Sequence, residues 1–232
     1  MSKRALLQRS FGYMARGVGV AGGFGLLALV SMLYKGEQAF VLAEGGQKTV
    51  REYEAHLTTA YRYNRWNSAV VLRMADYRAG RGNYAGAVSL LESTVPGKLH
   101  WQAWEKLGSA YERIAFSDAG TMDDASRAAG YYDRLLRVHP RYESGLERRG
   151  LLALRMGEWS VAGNVADKLT FIDCNNLNAI YLKARMYDGL GKEELSYTLY
   201  QGLSARAAYP ERTLFTRKEI EDYLMLHKSA GL

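Results

Sequence analysis

Four histidines, one cysteine and a pair of adjacent aspartates are the side chains with which this 232-residue chain could hold a metal ion or activate a nucleophile. A metal site needs several such groups brought together, and short sequence spacings are its usual signature. His56, His100, His139 and His227 are scattered over separate stretches, and none stands at ligand spacing from a Cys, Asp or Glu. Cys174 is the single cysteine, which rules out an internal disulfide; it has no CxxC partner and no activating neighbour, and reads as a small residue at a helix end. Asp123 and Asp124 begin an expected helix, where the helix dipole stabilises negative charge, so acid chemistry is not needed to account for them. Neither G-x-x-x-x-G-K-[ST] nor G-x-S-x-G occurs. The glycine-rich GVGVAGG lies inside an apolar run with no strand before it. We therefore expect no catalytic residue, no metal, no cofactor and no small-molecule substrate.

What remains is a chain of elements that position surfaces. Three prolines in 232 residues, with abundant Ala, Leu, Glu, Arg and Lys, favour an all-α fold. The formal net charge is +7, but residues 1–36 hold Lys3, Arg4, Arg9, Arg16 and Lys35 with no acid at all. The rest of the chain is nearly balanced, and no basic stripe with interleaved aromatics appears, which argues against a nucleic-acid partner.

Residues 17–34, GVGVAGGFGLLALVSMLY, form an uncharged run that ends at Lys35. About 17 to 20 apolar residues suffice to cross a bilayer as a helix, and Tyr13 and Tyr34 sit where aromatic rings suit the membrane boundary. Gly19 and Gly23 have the small-xxx-small spacing of close helix packing. Three readings are open: an uncleaved signal anchor, a cleaved secretory signal with a small-residue site at Val41-Leu42-Ala43, and an organellar targeting peptide. The length of the run, and the charges Lys35 and Glu37 before that site, favour the anchor. With four basic residues before the run, the positive-inside rule places the N-terminus in the cytoplasm and residues 35–232 on the far side. The expected address is the inner (cytoplasmic) membrane, single-pass, with the folded part periplasmic; an organellar membrane is the alternative.

The remainder carries an internal period. WEKLGSAY places Trp104, Leu107, Gly108 and Tyr111 at fixed steps, followed by Ala128, Tyr132 and Pro140. Moving 34 residues on takes Gly150 to Ala184, Gly157 to Gly191, Ala162 to Ser196 and Leu169 to Leu203. Upstream, Ala75, Gly82, Tyr84, Ala87 and Leu91 stand where Gly150, Gly157, Trp159, Ala162 and Ala166 stand later. This chain resembles the tetratricopeptide repeat (TPR) family, whose units open W-x₂-L-G-x₂-Y and continue A-x₃-F. Arg149 and Lys183 replace the signature Leu, and Cys174 replaces the terminal Pro. The small residues would let paired helices approach, and the aromatic residues, Trp159 and Tyr200 among them, would fill the wedges between pairs.

The resulting expectation is a right-handed α-solenoid of about four TPR helix pairs with a C-terminal capping helix, preceded by one N-terminal transmembrane helix. Its parts are a basic tail (1–12), the anchor (13–35), a linker and leading amphipathic helix (36–66), the array (67–210; repeats 68–100, 101–142, 143–176 and 177–210) and the cap (211–232). The resemblance implies a concave groove lined by Leu72, Asp76, Glu105, Ser109, Glu112, Glu147, Leu151, Tyr181, Arg185 and Asp188. The cationic set with which some family members grip a partner's C-terminal carboxylate is missing, and the groove reads as mildly acidic, suiting a segment that bears Arg or Lys. The second repeat carries eight extra residues, with a loop around Ser117, Asp118 and Gly120 and then Thr121 as the next helix cap, either a tolerated insertion or a partner contact. The functional expectation is a non-enzymatic scaffold or assembly factor for proteins of an envelope complex, touching the bilayer through residues 13–35. The alternative is an accessory or maturation subunit of a membrane or periplasmic enzyme complex.

Overall fold

The computed structural model describes residues 23–45, 49–94, 101–206 and 213–229. Among the described residues the regular structure is entirely helical: α1 (Gly23–Glu44), α2 (Val50–Tyr63), α3 (Ser68–Gly80), α4 (Tyr84–Glu92), α5 (Trp101–Ala115), α6 (Met122–Val138), α7 (Glu143–Arg155), α8 (Trp159–Ile172), α9 (Leu177–Gly189), α10 (Glu193–Ser204) and α11 (Arg217–Ser229). The chain divides into two compact units, Met1–Met74 and Ala75–Leu232, with the boundary inside α3.

In the first unit, α1 and α2 pack side by side. Gly36, Ala39 and Ala43 recur at steps of three and four, so they share one helix face, and all three are buried. The seam is tight: a Cβ on Gly36 would lie 3.0 Å from Tyr63 Cβ and 3.1 Å from Asn64 Cβ. Ala39 joins Ala60 and Val70 in a small core, and Arg73 pairs with Glu44 at 2.8 Å. Thr49 and Glu52 close a reciprocal capping box at the start of α2.

The expected span of 13–35 meets this unit with two differences. No helix among the described residues is long and apolar enough to cross a membrane, and residues 13–22 of that span lie outside them. Nor does the helix stop at Lys35. It runs to Glu44, so residues 36–44, expected as part of a linker, are helical. A single charge does not end a helix, and the residues after Lys35 include good helix formers whose small members have a partner in α2.

The second unit stacks antiparallel helix pairs. In three of the pairs the two helices join through a glycine with positive φ: Gly82 (78°), Gly157 (73°) and Gly191 (69°). A side chain there costs about 1–2 kcal/mol, which is why glycines hold these places. Close approach explains the small residues within the helices. A Cβ on Gly108 would stand 2.8 Å from the Tyr132 ring, and one on Gly150 would stand 2.7 Å from Leu182. At the corresponding place in the fourth pair, the Ser196 hydroxyl donates to the Ala184 carbonyl at 3.0 Å. Tyr111, Tyr132 and Tyr200 are buried, while Trp104 and Trp159 are half-buried; the Trp159 ring lies over Gly189, where a Cβ would come within 2.3 Å. Ala128 and Ala162 are fully buried, and Pro140 is exposed. Arg149, in place of the signature Leu, is 7% exposed and pairs with Asp133 and Glu158, each at 3.0 Å. Lys183 pairs with Asp167 at 2.8 Å. Both substitutions therefore replace an apolar contact by an ion pair to a neighbouring side chain. Leu107, an unaltered signature residue, is fully buried.

Candidate functional site: the groove face of the second unit

The first helices of successive pairs, α3, α5, α7 and α9, present their polar positions to one another as well as to solvent. Asp76 accepts from Lys106 of the next first helix. Glu105 accepts from the Tyr142 phenol at 2.9 Å and the Ser144 hydroxyl at 3.3 Å. Glu147 accepts from Asn178 one repeat further, and Asn178 in turn accepts from the Leu214 N–H at 2.8 Å. Tyr181 donates to Glu219 at 2.8 Å, and Arg185 donates to the Tyr181 oxygen at 3.2 Å. The Tyr223 hydroxyl of α11 lies 3.2 Å from Asp188 and 3.0 Å from the Ser196 hydroxyl. A row of side-chain bridges thus runs from one first helix to the next and ends on α11.

Glu112 is the most committed of these residues. It is 4% exposed, accepts from the Tyr132 phenol at 3.1 Å and from Arg155 at 3.4 Å, and stands 3.8 Å from Arg148. A buried carboxylate costs free energy unless charge and hydrogen bonds compensate it, and here both are present. Burial, with Glu112 alongside, pushes the Tyr132 phenol well above its ordinary range. Burial and the bond to Glu219 push the Tyr181 phenol up to about 12. Tyr181 is 2% exposed and stacks on Phe215 at 4.9 Å.

The structure therefore sorts the ten sequence-derived groove residues. Asp76, Glu105 and Ser109 come together around one open cleft. Glu112 and Tyr181 are buried among their partners. Glu147 and Leu151 are half-buried on α7, and Arg185 and Asp188 take partners from α11. Leu72 is half-buried and belongs to the first unit. The cleft measures about 260 Å³. Its floor is Ala75, Ala79, Ala87, Leu91 and Ala110, and its rim is Asp76, Glu105, Lys106, Ser109 and Arg148. Lys106 and Arg148 were absent from the sequence-derived set, and they balance the two rim carboxylates. The acidic reading counted the carboxylates and left out these two cations. Their common place beside Glu105 and Glu147 in two repeats was the signal that could have found them.

The loop of the second repeat is a closed turn. Ser117 N–H donates to Ile114 O at 3.0 Å, and Gly120 N–H donates to Ser117 O at 3.0 Å. A Cβ on Gly120 would fall 2.2 Å from two backbone oxygens, those of Ile114 and Ala115. Asp118 is exposed, and Thr121 and Asp124 form the capping box of α6. Arg155 lies 4.8 Å over the Phe116 ring, so the guanidinium that meets Glu112 also holds the start of the loop. Among the described residues, no group of three His, Cys, Asp or Glu side chains could hold a metal ion.

No family model and no curated protein matches the sequence. Solved structures do match its fold. A tetratricopeptide repeat protein from Parabacteroides merdae aligns with a TM-score of 0.60 at 19% identity, over 76% of this chain and 66%, just under two thirds, of that one. MamA aligns with a TM-score of 0.58 at 16% identity, over 78% of this chain and 98% of its own. PilW, a type IV pilus biogenesis factor, aligns with a TM-score of 0.59 at 13% identity, over 86% and 82%. At these identities the likeness establishes the fold alone: an α-solenoid of helix pairs like those of tetratricopeptide repeat proteins.

Proposed function

We propose that this protein is a non-catalytic scaffold that binds segments of other proteins on the groove face of its helix array, and that residues 13–35 anchor it in the inner (cytoplasmic) membrane with the array on the periplasmic side. The observation that carries the binding role is the cleft between α3, α4 and α5. Its alanine floor leaves room for one apolar side chain of a partner, and its rim offers Lys106 and Arg148 beside Asp76 and Glu105. A partner that fits presents an apolar residue flanked by polar groups of both signs, where the sequence suggested a segment that bears Arg or Lys. The anchor rests on the uncharged run 17–34, the four basic residues before it and Lys35 behind it. PilW, a type IV pilus biogenesis factor, has this fold, and an assembly role in an envelope complex is the one we assign to this chain.

The test is purification of the full chain in mild detergent, beside the variant Ala79→Phe, which fills the cleft. A stoichiometric protein partner with wild type that is lost with Ala79→Phe, at unchanged helix content, supports the reading. A partner retained by the variant removes the cleft from the interface. A partner that carries its own enzymatic cofactors would make this chain an accessory or maturation subunit.

A further inference from the structure

The seam between α1 and α2 ends at one level of the first unit, and three features meet there. Gly36 of α1 lies against Tyr63 and Asn64 at the end of α2. On α1, everything described before Lys35 is uncharged. Leu29 and Met32 continue the face of Gly36, Ala39 and Ala43 at the same three- and four-residue steps, but they are 44% and 49% exposed. The packing face thus outruns its partner helix where the charges stop.

At the same level lies the turn between α2 and α3. Asn67 N–H donates to Asn64 O at 3.0 Å, which puts Arg65 and Trp66 at the tip. Trp66 is 60% exposed, and the Arg65 guanidinium lies 5.0 Å from its ring centroid. An exposed indole costs free energy in water. Indole and guanidinium together suit the boundary of an anionic bilayer, where the ring sits at headgroup depth and the cation meets phosphate. Nothing in the sequence pattern alone marked this turn.

We infer that the Arg65–Trp66 turn is a second membrane contact: it rests in the headgroup layer beside the point where α1 enters the bilayer at Tyr34–Lys35. The inference rests on the anchor proposed above. It makes the entry into the first unit a continuous helix with a side support, in place of a flexible tether.

The experiment uses the full chain with Cys174→Ser, reconstituted into phosphatidylethanolamine–phosphatidylglycerol vesicles. An environment-sensitive fluorophore is attached at Trp66→Cys or, as control, at Arg51→Cys. The control lies roughly 18 Å away along α2, at 1.5 Å per residue. Flotation with the vesicles reports the anchor by itself. The expected result is flotation of both proteins, with the label at 66 quenched several-fold more than that at 51 by lipids bearing a nitroxide near the headgroup. Flotation with equal, weak quenching at both positions overturns the contact and leaves the anchor standing. A blue-shifted label at 66 that lipid nitroxides do not quench overturns it too, since protein would then cover the turn. Failure to float removes the anchor, and the inference with it.

Discussion

Single residues in this fold are held by specific neighbours, and their substitution costs follow from who those neighbours are. Glu112 bridges Tyr132, Arg148 and Arg155 while almost fully buried. Replacing it by Ala leaves the buried Tyr132 phenol without its acceptor, and chemical denaturation should show a loss of about 1–3 kcal/mol. Arg149 looks similar and should behave differently. Its partners Asp133 and Glu158 keep 55% and 35% of their side-chain surface in water, so they can be rehydrated. Arg149→Leu restores the signature residue and should change stability by no more than about 1 kcal/mol in the same measurement. Tyr181 carries a pH dependence. Its phenol is pushed up to about 12 from the ordinary 10.0, so the native state holds that proton more tightly than the unfolded chain does. The stability linked to it is fully present below pH 10 and is lost as the pH rises through 12. Tyr181→Phe should flatten the alkaline limb of a stability–pH profile between those limits.

Elements are where the sequence was most and least readable. The turns after α3, α7 and α9 were legible because a left-handed backbone position selects glycine, and Gly157 and Gly191 announce it at a fixed period. Gly191→Ala should cost about 1 kcal/mol at constant helix content, and Thr121→Ala, which removes the first bond of the α6 capping box, about the same; thermal melts followed by circular dichroism would check both. The length of α1 was not legible. An apolar run reports the environment of a helix, whereas the end of a helix depends on its partners, and Gly36 and Ala39 find theirs in α2 beyond the first charge. The groove residues were placed by register, which locates a side chain on a face and says nothing of what it bonds to. The bridges from Glu105 to Ser144 and from Glu147 to Asn178 join residues 39 and 31 positions apart, and no local pattern encodes them.

On the scale of the whole molecule, α11 and the residues just before it close the array by supplying contacts to the last pair. Phe215 and Ile220 are buried against Tyr181, Ala184, Tyr200 and Leu203. Ending the chain at Ser204 would uncover this cluster, and a hydrophobic dye should bind the truncated protein where it ignores the full one. The row of bridges along the first helices has a mechanical meaning as well. Each carboxylate that a ligand would seek is already a stay between neighbouring ribs. A partner that takes Glu105 or Asp76 must loosen the tie to Tyr142 or Lys106, so recognition exchanges an internal bond for an external one. Affinity gained that way would be small per contact, and the spacing of the ribs would change with occupancy. In the second unit the array would act as a spring whose pitch records what lies in it.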